Sequence, residues 1–369
     1  MKIAFDAKRY FNNNRGLGNY SRDVLRLLNT YYPDNEYLLF TPKKNERFAI
    51  PASSHVITPE TKPARLFPSL WRSYGCLNQI LSEGADIYHG LSQELPYGIH
   101  RKSVKTLVTM HDAIFMRYPE LYDKLYLKIF IKKNQYSAKA ADRIIAISEQ
   151  TKQDFVNYFN VDPAKIDVVY QGCNSIFRKK VTPEEKINVK KKYNLPNDFL
   201  LIVGAIEKRK NAEVIIKALH DGAIDFPLVI AGNRTRYVDE LQNLIAGFKL
   251  ESKVFFRHDI TTPDLPALYA CASIFVYPSV FEGFGIPILE ALSCGTPVIT
   301  SNGSCFPETG GDAAVYINNN NPEELSGAIK KILSDADLRQ TMINKGYAHA
   351  DKFTDDKIAA NLMRVYTKL

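Results

Sequence analysis

The chain lacks any run approaching the eighteen or so apolar residues that would read as a membrane span, so no transmembrane helix is predicted. Cysteine is sparse: Cys76, Cys173, Cys271, Cys294 and Cys305 are scattered, odd in number and without closely spaced metal-ligand pairs. They read as reduced packing thiols, which argues against a disulfide scaffold and suits the cytoplasm. No signal peptide is expected, because the N-terminus enters a strand pattern at once, at Lys2–Ala7. Internal repeats and extended low-complexity segments are also missing.

What is present is a chain of 369 residues, a length that suggests two domains. It is 45% apolar and 24% charged, enough for two buried cores in a globular protein. Short apolar runs alternate with longer amphipathic ones from end to end. In the first half the strand candidates include Lys2–Ala7, Tyr37–Thr41, Lys105–Met110, Arg143–Ser148 and Ile166–Tyr170. In the second half they are Phe199–Val203, Leu228–Ala231, Val254–Phe256, Ile274–Tyr277, Val298–Thr300 and Ala313–Ile317. Most are near-continuous Ile, Val, Leu and Phe, the pattern of parallel strands covered on both faces. Helical stretches such as Asn19–Asn29, Asn211–Leu219 and Pro322–Leu333 separate most of them. Repeated βα units predict a doubly wound parallel sheet. Lys179–Asn197 is rich in Lys and Glu, holds Pro183 and Pro196, and precedes a fresh βα series. The expected fold is therefore α/β, with two Rossmann-like domains, 1–178 and 179–354, whose strand ends face across a cleft.

The net charge of +8 is uneven: residues up to Arg178 hold 25 Lys and Arg against 17 Asp and Glu, and the rest hold 23 of each. The N-terminal half thus invites an acidic partner, either an anionic substrate or a membrane surface, unless it is a solvated basic face. Nucleic acid is not among the expected partners.

The strongest chemical signal runs from Tyr277 to Pro297. A strand ends near Tyr277, a loop carries Glu282, Gly283, Phe284 and Gly285, and a helix begins with Pro287 in its first turn and Gly295 as its stop. Glycines let a ligand approach the backbone. The N–H groups of Phe284, Gly285 and Ile286, backed by the helix dipole, suit a phosphate. Glu290, about one turn into the helix, is placed to accept hydrogen bonds from a ribose diol. Glu282, in the loop, lies nearer a sugar. The bland alternative is a helix cap and a surface charge, which fits poorly with the flanking glycines, proline and strand.

This segment closely resembles the signature of the family-four retaining glycosyltransferases, with its two glutamates separated by seven residues, and the resemblance covers essentially the whole chain. It implies the GT-B architecture, a nucleotide held mostly by the C-terminal domain, an acceptor held by the N-terminal domain, and a last helix, 355–369, that crosses back to the first domain. Further segments match. Phe199–Gly204 runs into Lys208, Arg209, Lys210 and Asn211, and Arg209 and Lys210 look like the family's phosphate-gripping pair. Ala205 departs from the Arg that many members carry directly after the glycine, which leaves Arg209 that work. Arg15–Tyr20, with Gly16, Leu17 and Gly18, resembles the glycine loop that approaches the donor phosphates, Gly16 as the contact and Gly18 as helix entry. His111, at the end of Lys105–Met110, resembles a donor-sugar contact, which Asp112 orients unless it caps the next segment. His89 is a weaker candidate for the cleft. Gly232, in Ala231–Asn233, and Ile260, in His258–Ile260, resemble segments near the nucleotide. Glu308 has no assigned role.

Asp335-Ala-Asp337 is formally a metal motif of other glycosyltransferases, but here it reads as helix capping, and no cluster offers a hard-cation site. No metal and no cofactor are expected. The resemblance implies a retaining reaction in which Arg209, Lys210 and the Phe284–Ile286 amides stabilise the departing diphosphate. Glu282 and His111 position the sugar. Leu121–Lys139 mixes lysines with bulky apolar residues; it reads as a domain helix, with contact to an anionic membrane or a lipid-linked acceptor as the alternative. The rival functions are a nucleotide-sugar epimerase or hydrolase, a non-catalytic binder and a nicotinamide dehydrogenase; Gly16 and Gly18 supply only part of the fingerprint the last requires. Resemblance to bacterial mannosyltransferase-type members favours GDP-mannose as donor, with UDP-sugars left open, and a glycan or lipid-linked glycan in polysaccharide or lipopolysaccharide synthesis as acceptor.

Overall fold

The computed structural model describes residues 1–369. The chain divides into two compact units, Met1–Gln171 together with Asp355–Leu369, and Gly172–Thr354.

The first unit is built on seven strands: β1 (Lys2–Asp6), β2 (Glu36–Phe40), β3 (Ser54–Ile57), β4 (Ile87–Gly90), β5 (Lys105–Met110), β6 (Arg143–Ala146) and β7 (Ile166–Val168). Their order is β3-β2-β1-β4-β5-β6-β7, and every pairing is parallel. Parallel strands need crossovers, and the amphipathic stretches supply them as helices, among them Gly16–Tyr31 and Lys124–Ala140. Ile3, Phe5, Leu39, Leu107 and Ile144 are fully buried, because helices cover both faces of the sheet.

The second unit repeats the plan with β8 (Leu200–Val203), β9 (Leu228–Ala231), β10 (Val254–Arg257), β11 (Ile274–Tyr277), β12 (Val298–Ser301) and β13 (Ala314–Ile317), in the order β10-β9-β8-β11-β12-β13, again all parallel. In each sheet the order reverses beside the first strand, at β1/β4 and at β8/β11. Loops diverge there and leave a crevice beyond the carboxyl ends of the strands.

Strands β3 and β4 were not among those the apolar runs pointed to. Both are short, and the His and Gly of Ile87-Tyr-His-Gly break the aliphatic pattern although all four residues are buried. The division between units falls after Gln171 rather than near Arg178, and packing explains the difference. The Cys173 thiol lies 3.4 Å from the Ser293 hydroxyl, the Phe177 ring meets Tyr269, and Arg178 donates to the carbonyl of Phe353 at 2.8 Å. The terminal helix, Asp355–Tyr366, belongs to the first unit: Arg26 pairs with Asp355 at 2.7 Å and Tyr366 reaches His89 at 2.7 Å.

Candidate functional site

The second unit's switch point gathers the C-terminal motifs. Strands β8 and β9 end in Gly204 (φ +143°) and Gly232 (φ +155°), and a Cβ on Gly232 would stand 1.7 Å from the Gly204 carbonyl oxygen. Only glycine permits that backbone approach. His258 donates to the Gly232 carbonyl at 2.7 Å and thereby ties the His258–Ile260 segment to the same turn. Lys208–Lys210 forms a 3-10 turn, ended by Asn211 in the left-handed region, whose amide side chain donates to Asn319 at 2.7 Å. The Arg209 carbonyl accepts from the Val280 amide at 2.9 Å and the Ser279 hydroxyl at 3.2 Å, so the turn is stitched to the loop after β11.

This stitching brings Arg209, Lys210 and Glu282 together. Glu282 Oε1 lies 2.7 Å from Arg209 Nη1 and 2.5 Å from Lys210 Nζ, and accepts from the Ser279 hydroxyl at 2.6 Å and the Tyr277 hydroxyl at 3.1 Å. Lys210 also donates to Tyr277 at 2.6 Å. Burial by itself would raise the Glu282 carboxyl; Lys210 and Arg209 more than reverse this and hold it at about 2. Glu282 is therefore a carboxylate whose Oε1 is saturated, and Oε2 takes none of these bonds.

The glycine loop leads into the Ile286–Ser293 helix, with Gly285 at φ +91° as N-cap and Pro287 in the first turn. Its carbonyls are drawn backward. Thr309 donates to the Phe284 carbonyl, and Ser304 (2.9 Å) and Cys305 (3.2 Å) donate to the Glu282 carbonyl. In a trans peptide the N–H points opposite to the C=O. The Gly283 and Gly285 amides thus face away from Ser304 and Thr309, and the Ile286 amide opens the helix. One turn on, Glu290 accepts from the Tyr269 hydroxyl at 2.8 Å, and burial pushes its carboxyl up to about 7. Glu290 is thus poised between acid and carboxylate near neutral pH, not a fixed charge.

In the first unit His111 follows β5 directly. It is 6% exposed, its Nε2 donates to the Leu91 carbonyl at 2.8 Å, and the Tyr20 ring meets it edge-on at 4.7 Å. Burial lowers its pKa to about 4 despite that hydrogen bond, so the ring is neutral and Nδ1 carries a lone pair. The Asp112 carboxylate accepts from the Ile114 amide at 3.1 Å, the capping alternative.

Two sequence expectations are corrected here. His89 is fully buried inside the first unit, not at a cleft: its Nδ1 meets Tyr366 Oη at 2.7 Å and its Nε2 meets Thr109 Oγ1 at 2.8 Å. The Gly16–Tyr31 helix begins at Gly16, after a short Lys8–Asn12 helix, so Gly18 is its third residue rather than its entry. Gly18 is required sterically, because a Cβ there would lie 1.8 Å from the Asn13 carbonyl oxygen, whereas a Cβ on Gly16 meets nothing within 4 Å. Asp335 caps the Ala336–Ala350 helix by accepting from the Leu338 amide at 2.8 Å.

Two family profiles match the chain in succession: Glycosyltransferase Family 4 over residues 15–175 and Glycosyl transferases group 1 over residues 183–349. The chain is 31% identical over 288 residues to O-antigen chain mannosyltransferase B of Escherichia coli, a match covering 77% of this chain and 74% of that protein. The chain belongs to the family-four (group 1) glycosyltransferases. It is also 29% identical over 293 residues to the O-antigen chain mannosyltransferase RfbU of Salmonella typhimurium, covering 77% of this chain and 76% of that one. Among solved structures it resembles Anabaena HepE in complex with UDP, at a TM-score of 0.79, 18% identity and full coverage of both chains, a likeness of fold. The two Rossmann-like units are thus those of the GT-B fold. The enzyme is a retaining hexosyltransferase that takes a nucleotide-sugar donor and a glycan acceptor.

Sequence reasoning missed Tyr277 and Ser279 as partners of Glu282, Tyr269 as partner of Glu290, and Ser304 and Thr309 as anchors of the glycine loop. Tyr277 and Ser279 lie inside the Tyr277–Pro297 motif, where their polarity was the available signal. The others carry no local signal: Ser304 and Thr309 are brought near by packing of the segment after β12 against the β11 loop, and Tyr269 reaches Glu290 from the Leu265–Cys271 helix.

Proposed function

We propose that the enzyme transfers mannose from GDP-mannose to a hydroxyl of a glycan or lipid-linked glycan in lipopolysaccharide or cell-surface polysaccharide assembly. The two O-antigen mannosyltransferase relatives support the sugar and the acceptor class. The observation that carries the site reading is the convergence of Arg209 and Lys210 on Glu282 at the β8/β11 switch point. Two cations beside the amides of Gly283, Gly285 and Ile286 form a diphosphate cradle. Gly204, Gly232 and Ile260 border the nucleotide, and Phe284 shapes the loop that faces it. Glu290 accepts from the ribose diol. Gly16, Leu17 and Gly18 contribute the first unit's helix N-terminus. Glu282, through Oε2, and His111, through the Nδ1 lone pair, accept from sugar hydroxyls.

In the reaction, the C1–O bond to the diphosphate breaks and its electron pair moves to the phosphate oxygen, where Arg209, Lys210 and the loop amides stabilise the new charge. The acceptor hydroxyl oxygen bonds to C1 from the same face, and its proton passes to that phosphate oxygen. No protein base is required, which suits a His111 that stays neutral and a Glu282 that stays ionised. The cation pair does the work for which other transferases use a divalent metal, so turnover proceeds in chelator. The five cysteines are unpaired thiols, which suits the cytoplasm.

A thermal-shift panel of GDP, UDP and ADP, followed by donor hydrolysis and product anomer analysis, tests the reading. GDP is expected to give the largest shift and GDP-mannose to be consumed with retention. A larger UDP shift moves the donor to a UDP-sugar. No shift with any nucleotide removes the site assignment.

A further inference from the structure

Eight of the thirteen large hydrophobic side chains that remain exposed fall in two segments of the first unit. Leu66, Phe67, Leu70 and Tyr74 lie along residues 62–75; Leu121 ends the turn just before the Lys124–Ala140 helix, and Leu125, Tyr126 and Ile129 lie in its first turns. Leu66 is 74% exposed and Leu125 69%. Apolar side chains left in water are ordinarily scattered singly; a concentration marks an interaction surface.

The two segments are joined. Glu94 takes Arg72 of one at 2.7 Å and Lys133 of the other at 3.0 Å. Tyr74 stacks on Tyr97 at 5.1 Å between centroids, and Tyr97 meets Tyr136 of the helix at 4.4 Å. Both segments also reach the carboxyl edge of the sheet. Arg72 pairs with Asp6, the last residue of β1. The lysine helix follows β5 and runs back toward the start of β6, so its exposed first turns lie at the edge that carries His111.

Their charge is of one sign. Residues 62–75 contain Lys62, Arg65 and Arg72 and no acid, and the Lys124–Ala140 helix contains five lysines and no acid. Lys124, Lys128 and Lys132 are exposed, pair with no carboxylate, and recur at helical spacing beside Leu125 and Ile129. The whole net charge of +8 falls in this half of the sequence, up to Arg178. A second copy of the chain would set cation against cation across such a contact, which disfavours self-association. An anionic surface with an apolar interior satisfies both halves of the pattern.

We propose that these two segments dock the enzyme on an anionic lipid bilayer, with Leu66, Phe67, Leu125 and Ile129 entering the headgroup–acyl boundary and Lys124, Lys128 and Lys132 on the anionic headgroups. The docking itself stands on the surface alone. Its purpose deepens the acceptor reading above: it brings the carboxyl edge of the first sheet to the level at which a lipid-linked glycan presents its hydroxyl.

Sedimentation of the full chain with vesicles tests this. Binding is expected to vesicles containing phosphatidylglycerol, to weaken as salt rises, and to be absent with phosphatidylcholine alone. Replacing the three lysines together, Lys124→Gln, Lys128→Gln and Lys132→Gln, should lower partitioning about a hundredfold. Leu125→Ser with Ile129→Ser, and separately Phe67→Ser, should lower it by about tenfold or more. All these positions are exposed, so the melting temperature and the nucleotide-induced shift should stay as in the parent chain. Equal binding to both vesicle types, no binding to either, or unchanged binding by the variants overturns the proposal. So does a parent dimer that Leu125→Ser and Ile129→Ser convert to monomer. The nucleotide shift, read on the same samples, separates failure of docking from failure of the donor site.

Discussion

Lys210 Nζ lies 2.5 Å from Glu282 Oε1, across 72 positions of sequence, and Arg209 Nη1 lies 2.7 Å from the same oxygen. A carboxylate thus holds both cations of the proposed diphosphate cradle. Glu282→Gln removes this competing charge and should leave GDP binding as tight or tighter. Turnover should fall about a hundredfold, because the sugar loses a charged acceptor. Titration calorimetry and kcat measured on the same preparation decide it; GDP binding weakened tenfold would contradict the competition.

Glu290 titrates in the opposite sense. Its folded pKa of about 7 stands above the ordinary 4.5, so the fold favours the protonated form. The corresponding stability is present below about 4.5 and is lost as pH rises through about 7. Glu290→Gln should therefore raise the melting temperature of the ligand-free enzyme by roughly a few degrees more at pH ~8 than at pH ~5. Glu282, held at about 2, loses its contribution only as pH falls below about 4.5 toward 2. Differential scanning calorimetry across this range checks both directions.

Gly16 and Gly18 separate contact from sterics. Gly18→Ala must displace the Asn13 carbonyl and should cost about 2–4 kcal/mol in urea unfolding. Gly16→Ala has open space and should change stability by less than about 0.5 kcal/mol, while the donor KM rises. An unaltered donor KM in Gly16→Ala would remove Gly16 from the site.

Tyr366→Phe strips one partner from the fully buried His89. Leaving a buried imidazole nitrogen unpaired costs about 1–3 kcal/mol. Chemical denaturation should show that loss with donor KM unchanged, since His89 acts as a pin between the terminal helix and Thr109 rather than as a ligand contact.

Much of the fold was legible because aliphatic runs covered on both faces leave a continuous pattern. β5, β9 and β11 fall where those runs lie. β4 was not legible, because its His is satisfied by Tyr366 and Thr109, residues far away in sequence. The nucleotide motif was legible as a strand, a glycine loop and a helix start, all of them local. The pairing of Glu282 with Arg209 and Lys210 was not, since it depends on two strands lying side by side.

The sequence by itself determined the alternation of strand and helix, the glycine loop and helix start between Glu282 and Glu290, and the residues that can carry charge there. Those are short-range matters of backbone conformation and apolar periodicity. Tertiary structure alone decided which oxygen of Glu282 is spoken for, that Glu290 sits near its titration point, that His89 is a core pin and that Leu125 and Phe67 stand in water. Each of these depends on what burial removes from solvent and on which distant residue then stands within hydrogen-bonding reach. No local pattern of residues encodes that.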